Sequence, residues 1–301
     1  MSSAQHTELR SSVPQHDYTM YPREFASYRW YKPLLVGVLT VALSIIFQVL
    51  IAAAALFWAH AEGVDIPLNG LVYDIIDTTT GPSALISLGS IAVILLAIAL
   101  ALAIVRDRPW SSLSSSRGGW NWSAFLKCMV LAVIVYGVSL AVQVILVPDS
   151  FAPNGWMFTA VGLVLTLVLC PLQCIAEEYA FRGLIMQAIG CWTKIPIMAV
   201  VVQALLFASM HAYDIVGVVA VFASGLCMGV IAWLTRGLEA SSAIHIVNNM
   251  TSFLLLGFGF GTVASTVDIP SAVITIVFDI VYVIAVIAIG RKFAWFVPRG
   301  A

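Results

Sequence analysis

Charged side chains are scarce in this chain of 301 residues, which has 14 lysines and arginines and 15 aspartates and glutamates, or 10% of the total. An average soluble domain contains about 25% charged residues. The two signs nearly cancel, so the formal net charge is −1 and the basic excess that nucleic-acid binding requires is missing. The composition therefore excludes an ordinary soluble globule and a nucleic-acid-binding protein.

Cysteine is also rare, and the five cysteines lie in or beside apolar stretches of the sequence. An odd number of cysteines without a cluster outside those stretches is a poor basis for a disulfide framework. The sequence therefore does not predict a small domain held together by disulfide bonds. The five positions are Cys128, Cys170, Cys174, Cys191 and Cys227.

Apolar residues, in contrast, make up 61% of the chain. They form continuous runs and not the alternating pattern of a membrane β-barrel. Because one membrane-spanning helix uses about 20 such residues, the chain has material for about eight or nine spans. The sequence predicts an all-α fold, a polytopic transmembrane helical bundle of eight spans. The eight runs lie at about 34–58, 84–105, 125–147, 157–180, 195–212, 214–235, 240–260 and 271–290.

Polar segments flank the apolar region and divide the chain into three parts. Residues 1–32 contain no apolar run and end in an aromatic and basic stretch, 28–32, which is typical of a membrane interface. We predict that 1–32 form a flexible cytosolic tail and that 33–290 form the transmembrane domain. Residues 291–301 are predicted to form a cytosolic C-terminal tail.

Basic residues predict the orientation of the spans, because cytoplasmic connectors are enriched in lysine and arginine. With the N-terminus inside and eight spans, all 14 basic residues fall on the cytosolic side. The outer connectors 61–83, 148–156 and 261–270 then contain acidic residues but no lysine or arginine. Losing or gaining one span would destroy this separation, so we predict that both termini are cytosolic.

Two adjacent carboxylates, Glu177 and Glu178, lie at the end of the fourth run. Burial of a charged group in a bilayer is costly, so each of them is expected to have a structural or functional role. Glu178 and Arg182 are four residues apart on one helix face, in the order that favours an ion pair. Glu177 points about 100° away from them and lacks that partner. We therefore predict that Glu178 and Arg182 are structural and that Glu177 is free for another role.

Two histidines and an asparagine lie in other apolar runs. His211 ends the block Phe207-Ala-Ser-Met-His211 in the fifth run, and His245 and Asn249 share one helix face in the seventh. A carboxylate and an imidazole can bind a water and remove its proton, while an imidazole N–H and an amide can donate hydrogen bonds to an oxyanion. The same residues also allow a zinc site with Glu177, His211 and His245 as ligands. The residues alone do not separate the two chemistries.

Three blocks on these runs resemble the three signatures of the CPBP family, which comprises the type II CAAX prenyl endopeptidases and the bacteriocin-processing or immunity proteins, also called the Abi family. The order of the blocks matches, as do their positions on the fourth, fifth and seventh of eight spans. The resemblance covers a catalytic core of about 125–260. The blocks are Glu177-Glu178-x-x-x-Arg182, Phe207-x-x-x-His211 and His245-x-x-x-Asn249.

The resemblance implies an intramembrane endopeptidase that cleaves a peptide bond in a membrane-associated, prenyl-CAAX-like or bacteriocin-like substrate. It implies glutamate-based catalysis without bound metal, with zinc as the alternative. It also implies a multi-pass protein of a bacterial plasma membrane whose partners are a peptide or lipidated protein and the lipid bilayer. By this resemblance the water is activated by Glu177 and His211, the oxyanion is stabilised by His245 and Asn249, and the site is supported by Glu178, Arg182 and Phe207.

Two other functions are compatible with the same residues. The first is a non-catalytic membrane protein that confers bacteriocin self-immunity or acts as a scaffold. The second is a small-solute transporter that uses Glu177 and Asp279 as proton carriers. The sequence has no evident internal repeat of the kind found in many transporters, which argues mildly against the second function.

The candidate residues also differ in depth along their predicted helices. Counted from the cytosolic ends of straight helices, His245 lies about 9 Å deep and His211 about 24 Å deep. Glu177 lies near the inner boundary if its helix ends at Gly183. For the three side chains to converge, we expect the fourth helix to continue to about Gly190, or the fifth helix to begin deep in the membrane or to bend.

Overall fold

The computed structural model describes residues 17–64, 66, 77–260 and 266–297. Eight long helices fill most of these ranges and coincide with the eight predicted runs. The prediction of an all-α fold is confirmed. The helices are α1 Lys32–Glu62, α2 Gly81–Val105, α3 Trp122–Leu146, α4 Ala160–Thr193, α5 Pro196–Ser209, α6 Ile215–Thr235, α7 Glu239–Gly257 and α8 Ile269–Lys292.

Within the described residues, six of the eight helices are long and apolar enough to cross a membrane, namely α1 to α4, α6 and α8. Helix α5 is apolar but has only 14 residues. Helix α7 has 19 residues, but its serines, His245 and two asparagines reduce its apolar content. The structure therefore supports six candidate membrane-spanning helices where the sequence predicts eight. The two helices that fall short carry Phe207 of the second motif block and the whole of the third block.

Side-chain caps fix the starts of several helices. Asn121 and Thr159 accept hydrogen bonds from backbone N–H groups in the first turns of α3 and α4. Asp214 does the same for α6, with the N–H of Gly217 at 2.9 Å, and Asp268 does so for α8. These side chains satisfy N–H groups that the first turn of a helix leaves unpaired. The cap at Asp214 also fixes the end of the turn between α5 and α6.

Helix α4 is longer than the predicted run 157–180. Its middle part, Tyr179–Ile185, has wider π-helical turns and connects two α-helical parts, Ala160–Glu178 and Met186–Thr193. π-helical turns are rare in proteins, and those that do occur are often found at functional sites. The continuation of α4 is the first of the arrangements that we expected to bring Glu177 toward the histidines.

Residues 17–31 are folded, although the sequence predicts a flexible tail there. A 3₁₀ helix, Tyr18–Glu24, packs against the second half of α4. The first side chain of this helix is fully buried and donates a hydrogen bond to the carbonyl of Leu113. Asp17 accepts a hydrogen bond from the indole of Trp233 at 3.0 Å. These contacts are distant in sequence, so the segment needs no local apolar run to take this structure.

The C-terminal segment also continues the fold beyond its predicted boundary. Helix α8 ends at Lys292, and the rings of Trp295 and Phe296 pack against the core. The guanidinium of Arg117 lies 5.4 Å from the centroid of the Phe296 ring. Parts of four predicted segments lie outside the described residues, namely 1–16, 65 and 67–76 in the connector 61–83, 261–265 and 298–301.

Two buried apolar clusters form the core, and α4 contributes to both. The first contains Cys174 and residues mainly of α3, α6, α7 and α8. The second contains Tyr179 and residues of α1, α2, α5 and the 3₁₀ helix. The adjacent carboxylates of Glu177 and Glu178 therefore lie at the boundary between the clusters. All five cysteines are free thiols.

Candidate active site

Helices α4 and α7 face each other through two pairs of polar side chains. Gln173 and Glu177 are four residues apart on α4, and His245 and Asn249 are four residues apart on α7, so each pair projects from one helix face. Glu177 Oε2 lies 3.3 Å from His245 Nε2. Gln173 Oε1 lies 3.2 Å from Asn249 Nδ2. The two contacts follow each other at a spacing of one helical turn.

Glu178 and Arg182 form the ion pair that their spacing predicts. The distance from Glu178 Oε1 to Arg182 Nη1 is 3.0 Å, and both side chains are 0% exposed. The same carboxylate oxygen lies 2.9 Å from His245 Nδ1. Because a carboxylate paired with a guanidinium accepts hydrogen bonds, Nδ1 carries the donated hydrogen and Nε2 faces Glu177. The buried ion pair thereby fixes the orientation of the His245 ring.

The ring of Phe207 contacts the guanidinium of the buried ion pair and lies beside both histidines. The guanidinium of Arg182 is 4.3 Å from the ring centroid, within the range of a cation–π contact. The centroid lies 4.7 Å from that of His211 and 5.8 Å from that of His245. Phe207 is buried. It therefore acts as an apolar spacer that holds the two imidazoles at set positions.

His211 lies in the turn after α5, which ends at Ser209, and not inside the helix as predicted. Its Nδ1 atom is 2.8 Å from the carbonyl oxygen of Phe207. Since a carbonyl oxygen only accepts, Nδ1 carries the hydrogen, and Nε2 of the neutral ring keeps its lone pair. An imidazole in this tautomer can take a proton through Nε2.

Tyr213 lies in the same turn and runs parallel to the imidazole of His211, with 16° between the planes and 6.1 Å between the centroids. Gly217 makes room for it, because a Cβ atom at that position would lie 2.6 Å from the Cβ of Tyr213. Burial raises the pKa of Tyr213, and the negative charge of Glu177 raises it further. The turn that carries His211 therefore also carries an aromatic ring stacked beside its imidazole.

The buried and accessible sides of this site carry different groups. The side chains of Glu178 and Arg182 have no exposed surface, whereas that of Glu177 is 14% exposed. His211 and Asn249 are half-buried. The ion pair is therefore shielded beneath the site, and the groups that can move a proton or donate a hydrogen bond border its accessible side.

Residues 158–251 match the family model described as type II CAAX prenyl endopeptidase Rce1-like. The matched range lies within the predicted core of 125–260 and contains all three motif blocks. The chain contains an Rce1-like domain. This domain comprises all of α4, α5 and α6, and the part of α7 that carries His245 and Asn249.

One curated relative is also similar to part of the chain. The uncharacterized protein YyaK of Bacillus subtilis (strain 168) is 28% identical over 123 residues. The similarity covers 37% of this chain and 38% of YyaK, so the chain spans well under half the length of this relative. The similarity therefore concerns a part of the chain and not its whole length.

The Rce1-like domain does not present the ligand set that the zinc alternative requires. In the part of the chain that the structure describes, no three or more His, Cys, Asp or Glu side chains are grouped so that they could hold a metal ion. The two ring nitrogens of His245 face the carboxylates of Glu177 and Glu178 instead. Glu177, His211 and His245 are thus not grouped as one set of metal ligands in the described residues.

The sequence did not predict a role for two residues of the Rce1-like domain, Gln173 and Glu239. Gln173 contacts Asn249, and the available signal was its position four residues before Glu177 in an apolar run. Glu239 is fully buried in the first turn of α7, where it pairs with Arg117 at 2.5 Å. This second pair fixes the start of the helix that carries the third motif block.

Asp279, the residue that a transporter would use as a proton carrier, bonds to two neighbouring helices. The hydroxyl of Tyr136 on α3 donates to one carboxylate oxygen at 2.7 Å, and the hydroxyl of Ser224 on α6 donates to the other. Both oxygens of this buried group therefore have partners. These contacts give Asp279 a structural role in joining α8 to α3 and α6.

Proposed function

We propose that the chain is an intramembrane endopeptidase with Glu177, His211, His245 and Asn249 as its catalytic residues. The observation that carries the proposal is the meeting of three distant sequence blocks at one accessible region of the Rce1-like domain. There they supply a carboxylate, two imidazoles and an amide. Stability alone does not explain the partly exposed groups of Glu177, His211 and Asn249, because the charges of the ion pair beneath them already neutralise each other.

In the proposed reaction, Glu177 and His211 bind a water molecule next to the scissile carbonyl group. The carboxylate takes one proton of the water, and Nε2 of His211 accepts a hydrogen bond from the other hydrogen. The water oxygen bonds to the carbonyl carbon, and the electrons of the carbonyl double bond move to its oxygen. The result is a tetrahedral intermediate with a negatively charged oxygen.

His245 and Asn249 would stabilise this oxyanion. His245 donates from Nδ1 to Glu178, so it can also donate from Nε2 only when its ring carries a hydrogen on each nitrogen, a form that the facing carboxylates of Glu177 and Glu178 stabilise. His245 Nε2 and Asn249 Nδ2 are 3.4 Å apart, so in this form hydrogens on both atoms can point at one oxygen. In the resting site Nε2 faces Glu177, and the substrate carbonyl would take that place. The proton held by Glu177 then passes to the leaving nitrogen, and the carbon–nitrogen bond breaks. An amine and a carboxylic acid leave, and the carboxylate of Glu177 is restored.

For the membrane we propose the eight-span topology with both termini in the cytosol. Helices α5 and α7 are short or polar, but α5 packs against α4 and α6, and α7 packs against α3, α4 and α6. Polar or irregular segments are tolerated at membrane depth where protein surrounds them. The absence of lysine and arginine from the three outer connectors supports the same orientation.

The proposed substrate is a peptide segment of a membrane-associated or lipidated protein in a bacterial plasma membrane, either prenyl-CAAX-like or bacteriocin-like. The family of the Rce1-like domain supports this class, since its members are CAAX prenyl endopeptidases. A membrane location supports it as well, because a site inside a helical bundle meets substrates that share the bilayer. Bacteriocin self-immunity or a scaffold role without catalysis is the competing function.

The decisive experiment compares the wild-type chain with Glu177→Gln, which keeps the side-chain shape and removes the base. Peptides that accumulate in wild-type membranes identify a substrate, which is then offered to both purified proteins. We expect Glu177→Gln, His211→Ala and His245→Ala to abolish cleavage without a loss of folded protein. Asn249→Ala should lower the rate by about 10²- to 10³-fold, the effect of losing one oxyanion donor.

Glu62→Gln is the matched control, because it makes the same chemical change at an exposed acid at the end of α1. It should cleave at the wild-type rate. Since Glu177 and His211 serve one step, the double variant should be scarcely slower than either single variant. Cleavage at the wild-type rate by purified Glu177→Gln would refute the endopeptidase and favour the scaffold or immunity role.

A further inference from the structure

The side-chain amide of Asn249 has a partner at each end. Its Oδ1 atom accepts a hydrogen bond from Asn248 Nδ2 at 3.1 Å. Its Nδ2 atom donates a hydrogen bond to Gln173 Oε1 at 3.2 Å. The first partner is its neighbour on α7, and the second lies across the helix interface on α4. The amide is therefore held from two different helices.

These two contacts also determine which way round the amide lies. Rotation of the Asn249 amide by half a turn would exchange its oxygen and its nitrogen. An oxygen would then face the oxygen of Gln173, and a nitrogen would face the nitrogen of Asn248, so both hydrogen bonds would be lost. The contacts favour the orientation in which Nδ2 points toward His245 Nε2, 3.4 Å away.

Gln173 is itself well fixed. It is 2% exposed, and its Oε1 atom accepts a second hydrogen bond from the thiol of Cys174 at 3.3 Å. It stands one helical turn before Glu177 on the same face of α4. The helix that carries the proposed base therefore also sets the orientation of the proposed oxyanion donor.

We infer that Gln173 and Asn248 form an amide clamp, a pair of positioning residues that keep the Asn249 amide aimed at the oxyanion. The inference rests on the proposed endopeptidase function and adds two residues to its site. Neither clamp residue is required to touch a reacting atom. Because the clamp acts on a contact made in the transition state, its loss should lower kcat and leave KM unchanged.

The test variant is Gln173→Met, which has a side chain of similar length without the acceptor oxygen. We expect kcat to fall by roughly 10- to 10²-fold, as a misplaced catalytic group produces, at unchanged KM. Combined with Asn249→Ala, it should be no slower than Asn249→Ala alone, because the clamp acts only through Asn249. A loss caused by general damage to the fold would instead multiply with that of Asn249→Ala.

Gln187→Met is the matched control. Gln187 is a fully buried glutamine on α4 that donates to the carbonyl of Ser112 at 3.0 Å, away from the catalytic groups. Its loss should lower stability and leave kcat per folded molecule unchanged. Asn248→Ala is the second test variant, since this half-buried side chain is easier to truncate without unfolding the protein.

The outcomes separate the clamp from the function on which it depends. If Glu177→Gln cleaves at the wild-type rate, the endopeptidase proposal fails and the clamp fails with it. If Glu177→Gln is inactive and Gln173→Met keeps wild-type kcat, or loses kcat multiplicatively with Asn249→Ala, only the clamp is overturned. If Gln173→Met does not fold, Asn248→Ala replaces it in the test. A wild-type kcat of Asn248→Ala, or a loss of kcat that multiplies with that of Asn249→Ala, would then overturn the clamp.

Discussion

Removal of the Arg182 guanidinium tests the structural part of the site. Arg182→Ala leaves the carboxylate of Glu178, which has no exposed surface, without the guanidinium that lies 3.0 Å from it. Breaking a buried pair by removing one partner costs about 3–5 kcal/mol. The guanidinium also lies 4.3 Å above the Phe207 ring, a contact worth up to about 2 kcal/mol when desolvated. The hydrogen bond from His245 to Glu178 stays and offsets part of this loss.

We therefore expect Arg182→Ala to lower the free energy of unfolding by about 3–5 kcal/mol. The apparent Tm should fall by roughly 10 °C, and less folded protein should accumulate. Thermal unfolding of the detergent-purified protein measures this directly. Lys127→Ala, at an exposed position on α3, is the control for loss of a basic side chain and should melt like the wild type.

A second variant separates the unpaired charge from the loss of packing. Glu178→Gln combined with Arg182→Met removes both charges and keeps most of the side-chain volume. Since the cost arises from an isolated buried charge, this double variant should be more stable than Arg182→Ala. An Arg182→Ala protein with wild-type Tm and yield would refute the structural role of the pair. A double variant less stable than Arg182→Ala would refute the charge argument.

The remaining predictions concern topology and metal dependence. In a cysteine-free background, Ser150→Cys should react with an impermeant thiol reagent added outside, and Ser123→Cys only after permeabilisation. Both positions are exposed, so the reverse pattern would refute the proposed orientation. Cleavage should survive treatment with a metal chelator. Activity that is lost on chelation and recovered with zinc would show that the glutamate-based mechanism is wrong.

The eight apolar runs predict the positions of the eight long helices. A segment that crosses lipid needs apolar side chains, and it must also satisfy its own backbone hydrogen bonds, which a helix does. The ends of the runs are less informative. The fourth run stops near 180 because charged residues follow, but Glu178 and Arg182 neutralise each other inside the protein, so α4 continues. The cap of Asp214 on α6 leaves His211 in a turn. Neither the neutralisation of Glu178 by Arg182 nor the cap of Asp214 can be predicted from local composition.

The candidate site was predictable only in part, for a related reason. Helical spacing is sufficient to predict the pair of Glu178 with Arg182 and the shared face of His245 and Asn249. It does not predict which side chains of different helices meet. The contact of Glu177 with His245, and that of Gln173 with Asn249, depends on how α4 packs against α7. The way in which α4 packs against α7 cannot be predicted from the sequence of either helix alone.

The folded segment 17–31 has a consequence for the order in which the protein is made. Its partners are synthesised long after it, since Asp17 bonds to Trp233, 216 residues later, and Arg23 bonds to the carbonyl of Cys191, 168 residues later. The segment therefore cannot form its full set of contacts until α6 has been synthesised. We therefore expect docking of 17–31 to be completed late in biogenesis, and protease resistance of this segment would show that the second cluster has assembled.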